Sequence, residues 1–306
     1  MIRTVVPIVT VVVAIVALWY VAAVPMNIHF AVNTAARTGA VVHPEDPAAR
    51  RAMGGIALAM ENPGQWSATW AQDKPRLPVP HQVLEELWQT TAQQAVTSKR
   101  SLVYHGWVTL SATVVGFAIG TGLGILLAVG IVHSRAMDMS VMPWAIASQT
   151  IPILAIAPMI IVVLNSIGVQ GLVPKAVISA YLSFFPVVVG MVKGLRSPDA
   201  MQFDLLKTYN ASRGETFWKL RLPASAPYLF ASLKVGIAAS LVGAIVGELP
   251  TGASRGLGAR LLSGSYYGQT VQIWSALFAT AILAALLVAI IAGIERVTLK
   301  RMGLAR

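Results

Sequence analysis

Apolar residues come in long blocks along this chain, and polar residues collect between the blocks. Six blocks approach the roughly 20 mostly apolar residues that a membrane-crossing helix needs. They cover about residues 4–24, 106–132, 143–167, 173–192, 229–248 and 271–294. The pattern predicts an all-α, polytopic membrane protein with six transmembrane helices. The first block follows Arg3 as a signal peptide would. Its apolar run is longer than a typical signal core, however, and no good small-x-small cleavage site comes after it, so it reads as an uncleaved helix.

The positive charges give this arrangement an orientation. Arg3, Arg135, Arg196, Lys207, Arg213, Lys219, Arg221, Arg296, Lys300, Arg301 and Arg306 fall on one side, while the other side's short loops hold only Arg255 and Arg260. Cytoplasmic loops collect Lys and Arg, so both termini and the loop before the fifth block are expected in the cytoplasm. The expected division is an N-terminal transmembrane helix (1–24), an extracytoplasmic segment (25–100) and a core of five transmembrane helices (101–300), with a cytoplasmic loop at 197–228. The 25–100 segment is polar and nearly charge-balanced. After Pro75, Pro78 and Pro80, the apolar residues Val83, Leu84, Leu87 and Trp88 recur at helical spacing. They predict a short amphipathic helix, either lying on the outer membrane surface or serving as a plain linker.

Composition narrows the classes of function. Of 306 residues, 56% are hydrophobic and 11% are charged, and the mean hydropathy is +0.69. A soluble domain ordinarily has about 25% charged residues, so a soluble enzyme is disfavoured. The net charge of +11 sits at the ends of apolar runs, which points to a membrane rather than to nucleic acid. There is no cysteine, and the five histidines are scattered, so neither a thiolate site nor a spaced zinc motif is present. No catalytic or metal-binding residues are expected. No GxxxxGK[ST] phosphate loop occurs, so any ATP-driven work falls to another subunit.

Inside the membrane, Gly116, Gly120 and Gly124 recur every fourth residue and predict close helix packing. The third block contains Pro143, Pro152 and Pro158, with Ser148, Gln149 and Thr150 between the first two. Such a helix is kinked or interrupted, and its freed backbone groups must face protein or water. It belongs beside a translocation path or in ordinary packing. Ser148, Gln149, Thr150, Ser179, Tyr181, Ser240 and Glu248 are the candidate path residues, Glu248 being either on the path or at the interface. Lys175 and Lys234 lie near block ends and are expected to snorkel. No series of Asp, Glu or His crosses the membrane, so a proton relay has little material.

The loop at 197–228 reads SPDAMQFDLLKTYNASRGETFWKLRLPASAPY. Ser197-Pro198-Asp199 is a helix start, and a short helix is expected to run to about Tyr209. Asn210 suits a turn because Asn tolerates the left-handed region. A second helix follows, with Phe217, Trp218 and Leu220 as its apolar residues, and Leu222-Pro223 is expected to end it. Two short helices in a loop make a rigid knob for docking a partner.

These residues resemble the EAA loop of ABC importer permeases, whose pattern is Glu-Ala-Ala, three residues, Gly, nine residues, then Ile-x-Leu-Pro. Asp204-Leu205-Leu206 stands at Glu-Ala-Ala, Asn210 at Gly, and Leu220-Arg221-Leu222-Pro223 at Ile-x-Leu-Pro, with the spacing kept. Ala211, Gly214 and Phe217 fall within the same stretch. Leu77-Pro78-x-Pro80, His105, Thr109-Leu110, Gly116-Phe117, Gly120, Gly124, Pro152, Pro158, Gly168 and Phe184-Phe185-Pro186 resemble the nitrate/taurine/sulfonate-type branch, as do Gly247-Glu248 and Gly256-Leu257-Gly258. Residues 25–76 match nothing in that branch. The resemblance implies an inner-membrane permease subunit that forms the translocation path, pairs with a second permease copy, and docks cytoplasmic ATPases that bind ATP and Mg. A periplasmic binding protein would deliver a small anion, a sulfonate, or a vitamin or pyrimidine precursor. The rivals are a self-contained channel or secondary transporter, a membrane-embedded enzyme, and an assembly factor whose loop docks something other than an ATPase.

Overall fold

The computed structural model describes residues 2–250 and 255–304. Every regular element among the described residues is helical. In chain order they are α1 (Ile2–Arg37), α2 (Pro47–Ala52), α3 (Gly55–Glu61), α4 (Trp66–Trp70), α5 (Pro80–Trp88), α6 (Leu102–His133) and α7 (Arg135–Ser148). There follow α8 (Ile153–Ser166), α9 (Leu172–Leu195), α10 (Ala200–Thr208), α11 (Arg213–Thr216), α12 (Leu222–Glu248), α13 (Leu257–Tyr266) and α14 (Thr270–Arg301). Among the described residues, five helices are long and apolar enough to cross a membrane, or six if α7 and α8 count as one broken span. The chain divides into two compact units, Met1–Leu102 with Arg260–Phe278, and Val103–Ala259 with Ala279–Arg306.

In the first unit, α1 does two jobs. Val6 through Val13 present their side chains outward, as lipid-facing residues do. The apolar positions Val24, Ile28 and Val32, spaced by four, instead bury against Val42, Leu58 and Ala59 in a small separate core. The apolar block predicts an end near Val24, but the helix continues to Arg37 although Pro25 lies within it. A proline removes one backbone donor, and the helix persists because the stripe beyond it has a surface to bury against. Gly55 permits that contact, since a Cβ there would stand 3.1 Å from the Pro25 carbonyl carbon.

Asn27 fastens the polar segment to α1. Its amide nitrogen donates to the Leu77 carbonyl at 2.8 Å, and its Oδ1 accepts from the Arg76 and Leu77 N–H groups at 2.8 and 3.1 Å. The expected helix near residue 80 is α5, whose Val83 is buried while Leu84 and Trp88 are exposed.

In the second unit, α9 and α12 form the main helix pair. Small residues let the backbones meet: a Cβ on Gly243 would lie 2.7 Å from the Ser179 Cα, and one on Gly194 would lie 2.9 Å from the Ser225 Cα. The predicted glycine ridge of α6 seats on α9, where a Cβ on Gly116 would lie 2.6 Å from the Ala176 carbonyl oxygen and one on Gly120 2.8 Å from that of Ala180. Gly124 meets Val187 and Phe184 in the same way. The third block is interrupted, as the prolines imply: α7 and α8 meet at 98° across residues 149–152. One end of this unit is closed by a core of Ala128, Ile131, Val188, Met191, Val192 and Leu195.

Candidate functional site

The loop between α9 and α12 is built from local signals. The Asp199 carboxylate caps α10 by accepting from the Gln202 N–H at 2.8 Å, and Gln202 Oε1 accepts from the Asp199 N–H in return. This is a capping box, with Pro198 standing just outside the helix. At the other end, Asn210 has φ 55°. The Ala211 N–H reaches the Leu206 carbonyl at 3.0 Å, and the Asn210 N–H reaches that of Lys207 at 2.9 Å. These bonds satisfy carbonyls that α10 leaves free, in a Schellman turn that needs a left-handed residue at Asn210. Ser212 and Glu215 form a second capping box on α11.

The expected stop at Leu222-Pro223 does not occur. Helical chain passes from α11 through one wide turn at Phe217–Arg221, where the Leu222 N–H bonds to the Phe217 carbonyl, directly into α12. Pro223 stands in the first turn of α12, directly after the wide turn, and its missing N–H takes one donor from the ladder without ending the helix.

Phe217 anchors this wide turn. Its ring packs on the apolar core at the ends of α6 and α9 and meets the His133 ring edge-on at 5.2 Å. The Arg221 guanidinium lies 5.0 Å from the Phe203 ring and so ties the turn back to α10. Leu206, Ala211, Leu220 and Leu222 are half-buried, whereas Asp204 and Gly214 face outward. Asp204 pairs with Lys207 at 3.0 Å. Met201, Leu205, Tyr209 and Trp218 are 57–80% exposed, an apolar surface that the chain's own helices leave uncovered.

A second site lies at the far end of α12. Glu248 closes that helix and is fully buried. The Thr109 hydroxyl lies 3.0 Å from both carboxylate oxygens, and the Gly258 N–H donates to Oε2 at 2.8 Å. The Lys175 ammonium is 3.4 Å from Oε1 and also donates to the Arg255 carbonyl at 3.3 Å. Thr109 accepts from the Leu257 N–H at 2.9 Å, and His105 Nδ1 accepts from the Gly256 N–H at 2.9 Å.

Three consecutive donors at the start of α13 are therefore satisfied by side chains from α6 and α12. The first N–H groups of a helix have no partner of their own and favour a negative charge nearby. Both glycines are required. Gly256 has φ +116°, and a Cβ there would enter the Glu248 carboxyl group. A Cβ on Gly258 would lie 2.6 Å from the Ile245 carbonyl oxygen.

The candidate path residues are thus divided by their surroundings. Glu248 is fully buried, and Lys175 is 8% exposed and paired with it. Lys234 likewise pairs with Glu295, at 2.7 Å. Ser179 and Ser240 are fully buried and donate to the Ser240 and Thr113 carbonyls, each at 2.8 Å, cross-linking α9, α12 and α6. Tyr181 donates to the Ser148 carbonyl at the α7–α8 break. Ser148 and Thr150 cap the end of α7 with bonds to the Ala145 and Ala147 carbonyls at 2.7 and 2.8 Å. Gln149 and Thr150 are exposed. The expectation that Lys175 snorkels is replaced by its pairing with Glu248. A lone charge within an apolar block is also the signal of a buried partner.

No group of three or more His, Asp or Glu is placed to hold a metal among the described residues. Comparison with known proteins shows that residues 120–303 match the profile of the binding-protein-dependent transport system inner membrane components. The chain is 32% identical over 189 residues to a probable ABC transporter permease protein of Haemophilus influenzae, covering 62% of this chain and 75% of that one. It is 31% identical to the formylaminopyrimidine transport permease protein ThiX of Halalkalibacterium halodurans, covering 50% and 60% of the two chains. It is 30% identical to the riboflavin transport system permease protein RibX of Chloroflexus aurantiacus, covering 71% and 77%.

Proposed function

The chain belongs to the binding-protein-dependent transport system inner membrane components, and from that premise we propose how its elements share the work. It is a multi-pass plasma-membrane permease subunit of an ABC importer, of the nitrate/sulfonate-type branch, and is not itself an enzyme. Two copies enclose the translocation path. Both termini and the 197–223 loop face the cytoplasm, where ATPase subunits holding ATP and Mg receive the loop. A binding protein delivers substrate on the other side. Relatives named for riboflavin, formylaminopyrimidine, aliphatic sulfonates and nitrate support a small anion, a sulfonate, or a vitamin or pyrimidine precursor as the substrate class.

The observation on which this rests is Asn210 at φ 55° between two capped short helices, with Met201, Leu205, Tyr209 and Trp218 outward. Local caps make the knob stiff, and Phe217 seats it on α6 and α9. A push from an ATPase would therefore be passed to the spanning helices rather than absorbed by bending. On the path, we assign Ser148, Gln149, Thr150 and Tyr181, because the α7–α8 break leaves polar groups outside regular packing. Ser179, Ser240 and Glu248 serve the helix junctions instead.

The test is a cysteine at Leu205, crosslinked in membranes that also contain the ATPase encoded beside this chain. The expected result is one specific crosslink to that ATPase, and ATP-dependent uptake that stops on crosslinking. A loop that crosslinks to nothing, in a chain that still supports uptake, would refute the assignment.

A further inference from the structure

The first unit contains a cavity of about 510 Å³, lined among others by Asp73, Lys74, Glu86, Arg100, Arg260 and Gln272. Small-molecule sites range over roughly 300–1,000 Å³, so its size suits a compact solute or a headgroup. Nothing in the coupling or junction roles above uses it.

Its charges are unevenly matched. Three cations, Lys74, Arg100 and Arg260, face two acids, Asp73 and Glu86. Arg260 is half-buried, and its Nε is buried with no hydrogen-bond partner among the described residues. A buried donor left unpaired is costly, more so on a charged group, so such a donor in a polar cavity marks a place for an acceptor. Burial pulls the Arg260 guanidinium below its ordinary value; Glu86 opposes that shift and Arg100 adds to it. The two arginines therefore repel one another across the cavity, and an anion between them would relieve both. The cavity wall is also held in place: the Gln272 amide donates to the Arg260 carbonyl and the Ser263 hydroxyl, at 3.0 and 3.1 Å.

We propose that this cavity binds an oxyanion group, a phosphate, sulfonate or carboxylate, between Arg260 and Arg100. Guanidinium groups suit such anions through paired charge-assisted hydrogen bonds. Glu86 opposes the anion and keeps its binding reversible. On the topology proposed above, the site faces the extracytoplasmic side, and the oxyanion comes either from a free solute or from a lipid headgroup.

The experiment uses the full-length chain in nanodiscs. In phosphatidylcholine discs, inorganic phosphate, methanesulfonate and benzoate are titrated by calorimetry. In discs containing phosphatidylglycerol, native mass spectrometry counts retained anionic lipid. One arm is expected to show saturable one-to-one binding, and the arm that responds identifies the source. Arg260→Gln should weaken it about tenfold or more, and Glu86→Gln should strengthen it. If Arg260→Gln does not yield folded protein, Arg100→Gln and Glu86→Gln decide by effects of opposite sign. Binding in neither arm, or binding indifferent to these substitutions, overturns the proposal. ATP-driven uptake measured in parallel separates the two readings: no anion binding by the unaltered chain, with uptake intact, refutes the cavity alone, whereas a failed loop crosslink bears on the permease assignment alone.

Discussion

Replacing Glu248 with Leu should be among the most costly single changes in the second unit, and the cost follows from its partners. The substitution strands the Lys175 ammonium, which is 8% exposed, with the Arg255 carbonyl at 3.3 Å beside it. Breaking a buried pair by deleting one partner costs about 3–5 kcal/mol. The Gly258 N–H also loses its acceptor, about 1–3 kcal/mol more. Lys175→Met is expected to be milder, about 3 kcal/mol, because the carboxylate keeps the Thr109 hydroxyl at 3.0 Å and the Gly258 N–H at 2.8 Å. The double variant Lys175→Met/Glu248→Leu has no charge left to strand and should lose only about 1–3 kcal/mol, for the unmet donors. The two changes are therefore strongly non-additive, with a coupling of about 3 kcal/mol or more. Denaturant unfolding of the four purified full-length chains in one detergent, followed by tryptophan fluorescence, measures this cycle. Additive effects, or Lys175→Met as damaging as Glu248→Leu, would refute the view that a paired charge ties α9, α12 and the start of α13 together.

Three further outcomes are expected. Asn210→Gly should leave stability and uptake nearly unchanged, while Asn210→Val should cost about 1–2 kcal/mol and uncouple ATP hydrolysis from uptake; both are read in vesicles containing the assembled transporter. Gly120→Val should disrupt α6–α9 seating, since even a Cβ would lie 2.8 Å from the Ala180 carbonyl oxygen, and loss of a monodisperse peak in size-exclusion chromatography reports it. Leu58→Ala, at a fully buried position of the small core, should cost about 2–5 kcal/mol locally; faster proteolysis within residues 38–77 with uncut spanning helices is the expected signature.

Much of the loop between α9 and α12 is legible in the sequence because its signals are local. Asp199, Asn210 and Ser212 act on backbone groups within a few residues of themselves, so their spacing suffices to place two helices and a turn. The end of that loop was misread for the complementary reason. Leu222-Pro223 is consistent locally with a helix stop or with a first helical turn, and the seating of Phe217 on α6 and α9 selects the second. The first helix was cut short at Pro25 in the same way, because the partner that sustains it beyond that point, Leu58, lies more than thirty residues on.

The sequence by itself determined the solvent and the architecture. Blocks of about 20 apolar residues must lie in lipid, and in lipid a lone segment satisfies its backbone only as a helix. The spacing of the loop and of Gly116, Gly120 and Gly124 also needed no tertiary knowledge, because helix geometry fixes which residues share a face. What only the tertiary structure decided is which polar residues are spent within the packing. His105, Thr109, Lys175, Glu248 and Gly256–Gly258 come from four separate stretches of chain, and they meet because α6, α9 and α12 approach through glycine and serine contacts. A buried polar group acquires its role from the partner within hydrogen-bond distance, and across 151 residues of separation only the folded chain specifies that partner.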